Sequence, residues 1–141
     1  MIDKSYYLLQ FDGGAQPNPG KGSGAAVLFD PDMSVIGEVG EFYLHCTNNF
    51  AEYMGLILGL EMALKKGVRK LIVEGDSMLV IQQVSGFWKV SAEALKPLCS
   101  KAKALLALFE DTIVRHVLRT HNTHADALTE KVICLGADLS E

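Results

Sequence analysis

The sequence predicts an α/β fold: a mixed five-stranded sheet, three antiparallel strands plus two parallel ones, with helices on both faces. Three observations lead there. The first third of the chain holds three segments rich in β-formers, separated by Gly, Pro and Asp turn residues, which is the pattern of an antiparallel meander. The next stretch switches to good helix formers at helical spacing. Beyond it, short apolar strands alternate with helices, the signature of a parallel pair joined by crossovers.

Tyr6 to Phe11 reads as a strand that runs into a turn at Asp12-Gly13-Gly14, and the turn continues through Pro17, Asn18, Pro19 and Gly20. Gly24 to Phe29 is the second strand. Asp30-Pro31-Asp32 turns the chain into a third strand around Val35 to Leu44. From Phe50 to Lys66, Met54, Ile57, Leu58 and Met62 recur at helical spacing, with Gly67 as the stop. Leu56, Leu60 and Leu64 make this helix apolar on more than one side, so it is expected to pack on a sheet and on a second helix. Lys70 to Val73 is a short buried strand, followed after Glu74-Gly75-Asp76-Ser77 by a helix from about Met78 to Val84. Ala92 to Phe109 is a longer amphipathic helix with Pro97 near its start or at a break. Thr112 to Val117 is the last strand, and a polar turn from Arg119 to Asn122 opens a terminal helix from Thr123 to roughly Leu139.

With 141 residues, 49% of them hydrophobic, residues 1–141 read as a single domain around one core. A net charge of −4 argues against a protein that coats nucleic acid nonspecifically, because such binding neutralises many phosphates with Lys and Arg. The opening apolar run is cut short by Asp12, too early for a signal peptide or a membrane span, so a cytoplasmic chain with no membrane partner is expected. Cys46, Cys99 and Cys134 match neither a zinc pattern nor a disulfide framework and read as reduced thiols.

Four carboxylates sit at element ends: Asp12, Glu52, Asp76 and Asp126. Singly, each has a structural reading. Asp12 favours a turn before two glycines, Glu52 completes a capping box three residues after Asn49, Asp76 caps the following helix, and Asp126 complements a helix dipole. Together they suggest more, because the first and fourth strands of a mixed sheet can lie side by side with Asp12 and Asp76 at one edge. Helices starting at Asn49 and Asn122 could bring Glu52 and Asp126 to the same edge. Converging carboxylates raise one another's pKa values unless cations sit between them, and hard divalent ions prefer such oxygen donors.

The ordered segments FDGGAQPNPGKGSG, TNNFAEY, EGDS and HNTHADAL resemble the type 1 ribonuclease H family, most closely its short plant-like and archaeal members, along almost the whole chain. The resemblance implies a ribonuclease H-like fold and cleavage of the RNA strand of an RNA–DNA hybrid. It makes Asp12, Glu52, Asp76 and Asp126 both the catalytic tetrad and the ligands of two Mg²⁺ ions, with Mn²⁺ as a substitute. It also implies 5′-phosphate and 3′-hydroxyl products with water as the nucleophile. His116, ten residues before the last acid, takes the place of a family histidine that carries a proton or aids product release, against the alternative of an ordinary strand-end His.

For the substrate, the resemblance puts Asn48 and Asn49 in the minor groove, Thr47 on a DNA phosphate, and Asn18 with the Gly13-Gly14 backbone on the RNA strand; Asn122 joins this set. Asn49 has helix capping as its other reading. Trp88 and Lys89 occupy the segment where family members touch the DNA strand, although an aromatic there can equally be core. Met78 stands where some relatives carry a base-reading Gln, and no basic protrusion is present, so modest affinity with strong salt dependence is expected of a monomer acting on the hybrid. The alternatives are an inactive ribonuclease H-like binding or scaffold module and a same-fold nuclease of another specificity. A nucleotide-binding loop in GGAQPNPGKGSG fails on spacing and on Gly22 where Ser or Thr is required. A zinc site at His121, His124 and Asp126 lacks a further ligand.

Overall fold

The computed structural model describes residues 5–140. Its sheet runs in the order β3-β2-β1-β4-β5. The strands are β1 (Tyr7–Gln16), β2 (Gly20–Phe29), β3 (Val35–Cys46), β4 (Lys70–Gly75) and β5 (Asp111–His116). The first three are mutually antiparallel, and β4 and β5 run parallel to β1. Helices α1 (Asn48–Lys65), α2 (Met78–Val84), α3 (Lys96–Leu106) and α4 (Thr123–Leu135) complete the predicted α/β architecture.

Helix α1 lies on one face of the sheet over β1 and β2, and its other side meets α3. Leu9 and Phe11 of β1, Leu28 of β2, Leu56 and Leu60 of α1 and Val73 of β4 form the centre of the larger core. Helix α4 covers the opposite face over β1 to β3, where Ala25, Val27 and Leu128 make a smaller cluster. Among the described residues no helix is long and apolar enough to cross a membrane.

Several boundaries differ from expectation. Strand β1 does not stop at Asp12: it stays paired through Gly13 opposite Gly24 and Gly14 opposite Ser23, so only residues 17–19 form the turn. The glycines serve close approach rather than a bend. A Cβ on Gly13 would stand 2.2 Å from the Ala51 carbonyl carbon, and one on Gly55 would stand 2.3 Å from the Asp12 oxygen, so the backbones of α1 and β1 nearly touch. Helix α1 is capped by Thr47, whose Oγ1 accepts the Phe50 N–H at 3.2 Å, and not by Asn49. Helix α3 starts at Lys96 with Pro97 in its first turn, where a missing N–H costs nothing; residues 93–95 form a separate 3₁₀ turn. Helix α4 ends before Gly136, whose φ of 62° is the left-handed stop, and Leu139 exchanges two 2.8 Å hydrogen bonds with Gly40 on the free edge of β3.

Candidate active site

Register explains how Asp12 and Asp76 meet. In the parallel pair β1/β4, Phe11 stands opposite Gly75, the last residue of β4. The next residues on each side are Asp12 and Asp76, so two acids 64 positions apart become neighbours across one strand spacing of about 4.8 Å. Helix α1, drawn onto the sheet at Gly13 and Gly55, delivers Glu52 to the same spot. Carboxylate oxygens of Asp12, Glu52 and Asp76 all lie within 4.8 Å of one another. Asp12 is 6% exposed and Glu52 9%, and Glu52 Oε1 is buried with no hydrogen-bond partner.

That crowding is electrostatically costly. Burial first, and the charge of Asp76 second, push the Asp12 carboxyl up to about 8. Burial and the charges of Asp12 and Asp76 hold Glu52 well above the usual carboxylate range. Asp76 is also raised, chiefly by burial, with the Arg119 guanidinium pulling in the other direction. Three hard oxygen donors in a tight cluster, one of them an orphaned buried oxygen, suit a divalent cation far better than they suit one another. The capping reading of Asp76 gives way here, because Ser77 Oγ caps α2 by accepting the Val80 N–H at 3.3 Å.

The cluster opens into a cleft of about 850 Å³. Asp126, in the first turn of α4, lines it with Arg119, whose Nη2 is 3.4 Å from Asp126 Oδ1. His116 also lines the cleft; it pairs with Gly75 at the end of β5, in the same row of the sheet as Phe11. Gly13, Gly14 and Asn48 contribute to the wall. Asn48 Oδ1 accepts the Ala15 N–H at 2.8 Å, and Asn18 Oδ1 accepts the Asn48 N–H at 3.0 Å, which ties the β1–β2 turn to the start of α1. Asn49 is exposed beside them. Trp88 and Lys89 are exposed in the α2–α3 connection and do not line this cleft.

Two placements depart from the sequence reading. Asn122, expected on the substrate, is 0% exposed, and its Nδ2 donates to the Phe11 carbonyl at 2.9 Å, so its side chain offers no surface to a ligand. His124 faces Glu38, Nε2 to Oε2 at 3.3 Å, with its ring edge-on to Phe29. Arg119 was missed, and no spacing rule marks it: only the fold shows a guanidinium beside four acids.

Comparison with known proteins gives the family and the fold. Residues 10–132 match the family described as reverse transcriptase-like. Ribonuclease HI of Halobacterium salinarum is 37% identical over 123 residues, 87% of this chain and 62% of that protein. The crystal structure of RNase H1 from the same organism superposes with a TM-score of 0.88 at 35% identity, covering 92% of this chain and 98% of that one. The chain belongs to the type 1 ribonuclease H family. A bifunctional protein of Mycobacterium tuberculosis is 41% identical over 131 residues, and the structure of its N-terminal RNase H domain gives a TM-score of 0.89 over 93% of this chain and 95% of that one. The chain spans 92% of its own length in that match but 36% of the mycobacterial protein. LC11-RNase H1, solved in complex with an RNA/DNA hybrid, is 28% identical with a TM-score of 0.85, over 92% of this chain and 97% of that one. Ribonucleases H are hydrolases.

Proposed function

We propose that the chain is an endoribonuclease that hydrolyses the RNA strand of an RNA–DNA hybrid, leaving 5′-phosphate and 3′-hydroxyl ends. One observation carries the reading: oxygens of the buried Asp12 and Glu52 and of the half-buried Asp76 converge within 4.8 Å in a cleft that Asp126 also lines. These four side chains would hold a pair of divalent cations, Mg²⁺ or Mn²⁺. When bound, such a pair lowers the pKa of water and neutralises charge on the leaving oxygen, so no Ser or Cys nucleophile is needed. Asp12 is central because it adjoins both Glu52 and Asp76, whose charges each act on it or are acted on by it. Near burial of Asp12 and Glu52 keeps bulk water from screening their field. His116 lines the cleft and would carry a proton or aid product release.

A hybrid duplex is read by shape, phosphates and 2′-hydroxyls across its minor groove. At the exposed start of α1, Asn48 and Asn49 would meet the minor groove and Thr47 a DNA phosphate, while Asn18 with the Gly13-Gly14 backbone would meet the RNA strand. Trp88 and Lys89, exposed outside the cleft, would meet the DNA strand. The hybrid bound by LC11-RNase H1 supports the substrate class.

The test uses end-labelled RNA, alone or paired with DNA, alongside duplex DNA, with Mg²⁺ or Mn²⁺. Cutting of the paired RNA alone is expected, weakening steeply with added salt. Equal cutting of single-stranded RNA, or no cutting with either cation, would contradict the proposal.

A further inference from the structure

We infer that Asn122 is a positioning residue that fixes Asp12 and Asp126 relative to one another, an inference that rests on the hydrolytic reading of the cleft. Asn122 stands at the N-cap of α4, where an Asn side chain ordinarily folds back to accept an N–H of the first helical turn. It makes no such bond. Its side chain turns inward instead, and Nδ2 donates to the carbonyl of Phe11, the residue directly before Asp12. On the main chain, the Asn122 carbonyl accepts the Asp126 N–H at 3.1 Å, and the Asn122 N–H donates to Arg119 O at 3.0 Å.

One residue thus touches the strand that carries Asp12 and the backbone of Asp126. Mutual repulsion pushes these carboxylates apart, and a neutral donor restrains them without adding charge to the cluster. The arrangement carries a cost, because Asn122 is fully buried and its Oδ1 has no hydrogen-bond partner. A favoured capping residue that forgoes its cap and leaves an acceptor unpaired breaks two local rules at once, and such breaks concentrate at functional sites. Groups that orient the ligands of a metal act on affinity without touching the ion.

Asn122→Ser keeps a good capping residue but loses the reach to Phe11, and Asn122→Ala is the second variant. Calorimetry with Mn²⁺ alone, thermal melting, and steady-state hybrid cleavage are measured on the parent and both variants. In a variant that melts cooperatively, Mn²⁺ affinity and kcat should each fall roughly tenfold or more, while KM for the hybrid stays within about twofold. A higher KM with unchanged Mn²⁺ affinity would make Asn122 a substrate contact. A lower melting temperature with Mn²⁺ affinity and kcat unchanged would make it purely structural. Either result overturns the inference, as does failure of both variants to melt cooperatively. A parent that binds no Mn²⁺ overturns the hydrolytic reading itself, and this inference with it.

Discussion

Asp12→Asn should abolish hybrid cleavage while leaving the fold intact. The substitution keeps the shape of the side chain and removes its charge from the centre of the cluster, where Asp12 interacts with Glu52, Asp76 and Asp126. Cations at such a site supply several kcal/mol of stabilisation to the transition state, so their loss corresponds to about a thousandfold or more in rate. The same change relieves the apoprotein of a buried anion. In chelator at pH 8 the variant should therefore melt above the parent, a gain in stability made at the expense of activity. Single-turnover cleavage and a melting curve on one preparation check both halves. A variant that cuts hybrid at near-parental rate places the chemistry elsewhere.

The second large effect concerns pH and metal removal. Burial and the charge of Asp76 push the Asp12 carboxyl from the usual carboxylate range up to about 8, so the folded state holds its proton more tightly than the unfolded state does. The sign follows. Below about pH 4 the group is protonated in both states and contributes nothing; as pH climbs toward 8 the unfolded chain ionises freely and the folded chain does not, so stability falls. Glu52 and Asp76 shift in the same direction. Between pH 5 and 8 the cation-free protein should lose stability on the order of several kcal/mol, a drop in Tm of about 10 °C. Saturating Mg²⁺ removes the penalty by pairing the charges and adds its own binding term, about 2.7 kcal/mol at a hundredfold excess over Kd. Scanning fluorimetry in chelator and in Mg²⁺ across that range measures it. Parallel flat curves would mean that the acids do not bear on one another.

Much of the fold was legible because local pattern and tertiary demand agree. The turn at Asp30-Pro31-Asp32, the stop at Gly67 and the apolar sides of α1 all matched the structure. Disagreements arose where a distant element decides. Gly13-Gly14 has the composition of a turn, yet the backbone of α1 pressing against it requires strand without side chains. Gly136 ends α4 although apolar residues continue to Leu139, since that leucine belongs to the edge of β3. In the site, the four acids could be chosen from residue type and position, but their convergence depends on the pairing of Phe11 with Gly75, a register that no local pattern encodes. Asn122 was read as a substrate contact, yet its side chain is buried and donates to Phe11, because capping, substrate contact and an inward bond look identical in one dimension. Arg119, at the start of the 3₁₀ turn of residues 119–121, lines the cleft and pairs with Asp126, a proximity that only the tertiary fold creates.

The most direct measurement is anomalous scattering from crystals grown or soaked with Mn²⁺. Two peaks roughly 3.5–4 Å apart, flanked by oxygens of Asp12, Glu52, Asp76 and Asp126, are the expected result. Carboxylates turned away from one another, with no manganese among them at saturating concentration, would contradict it.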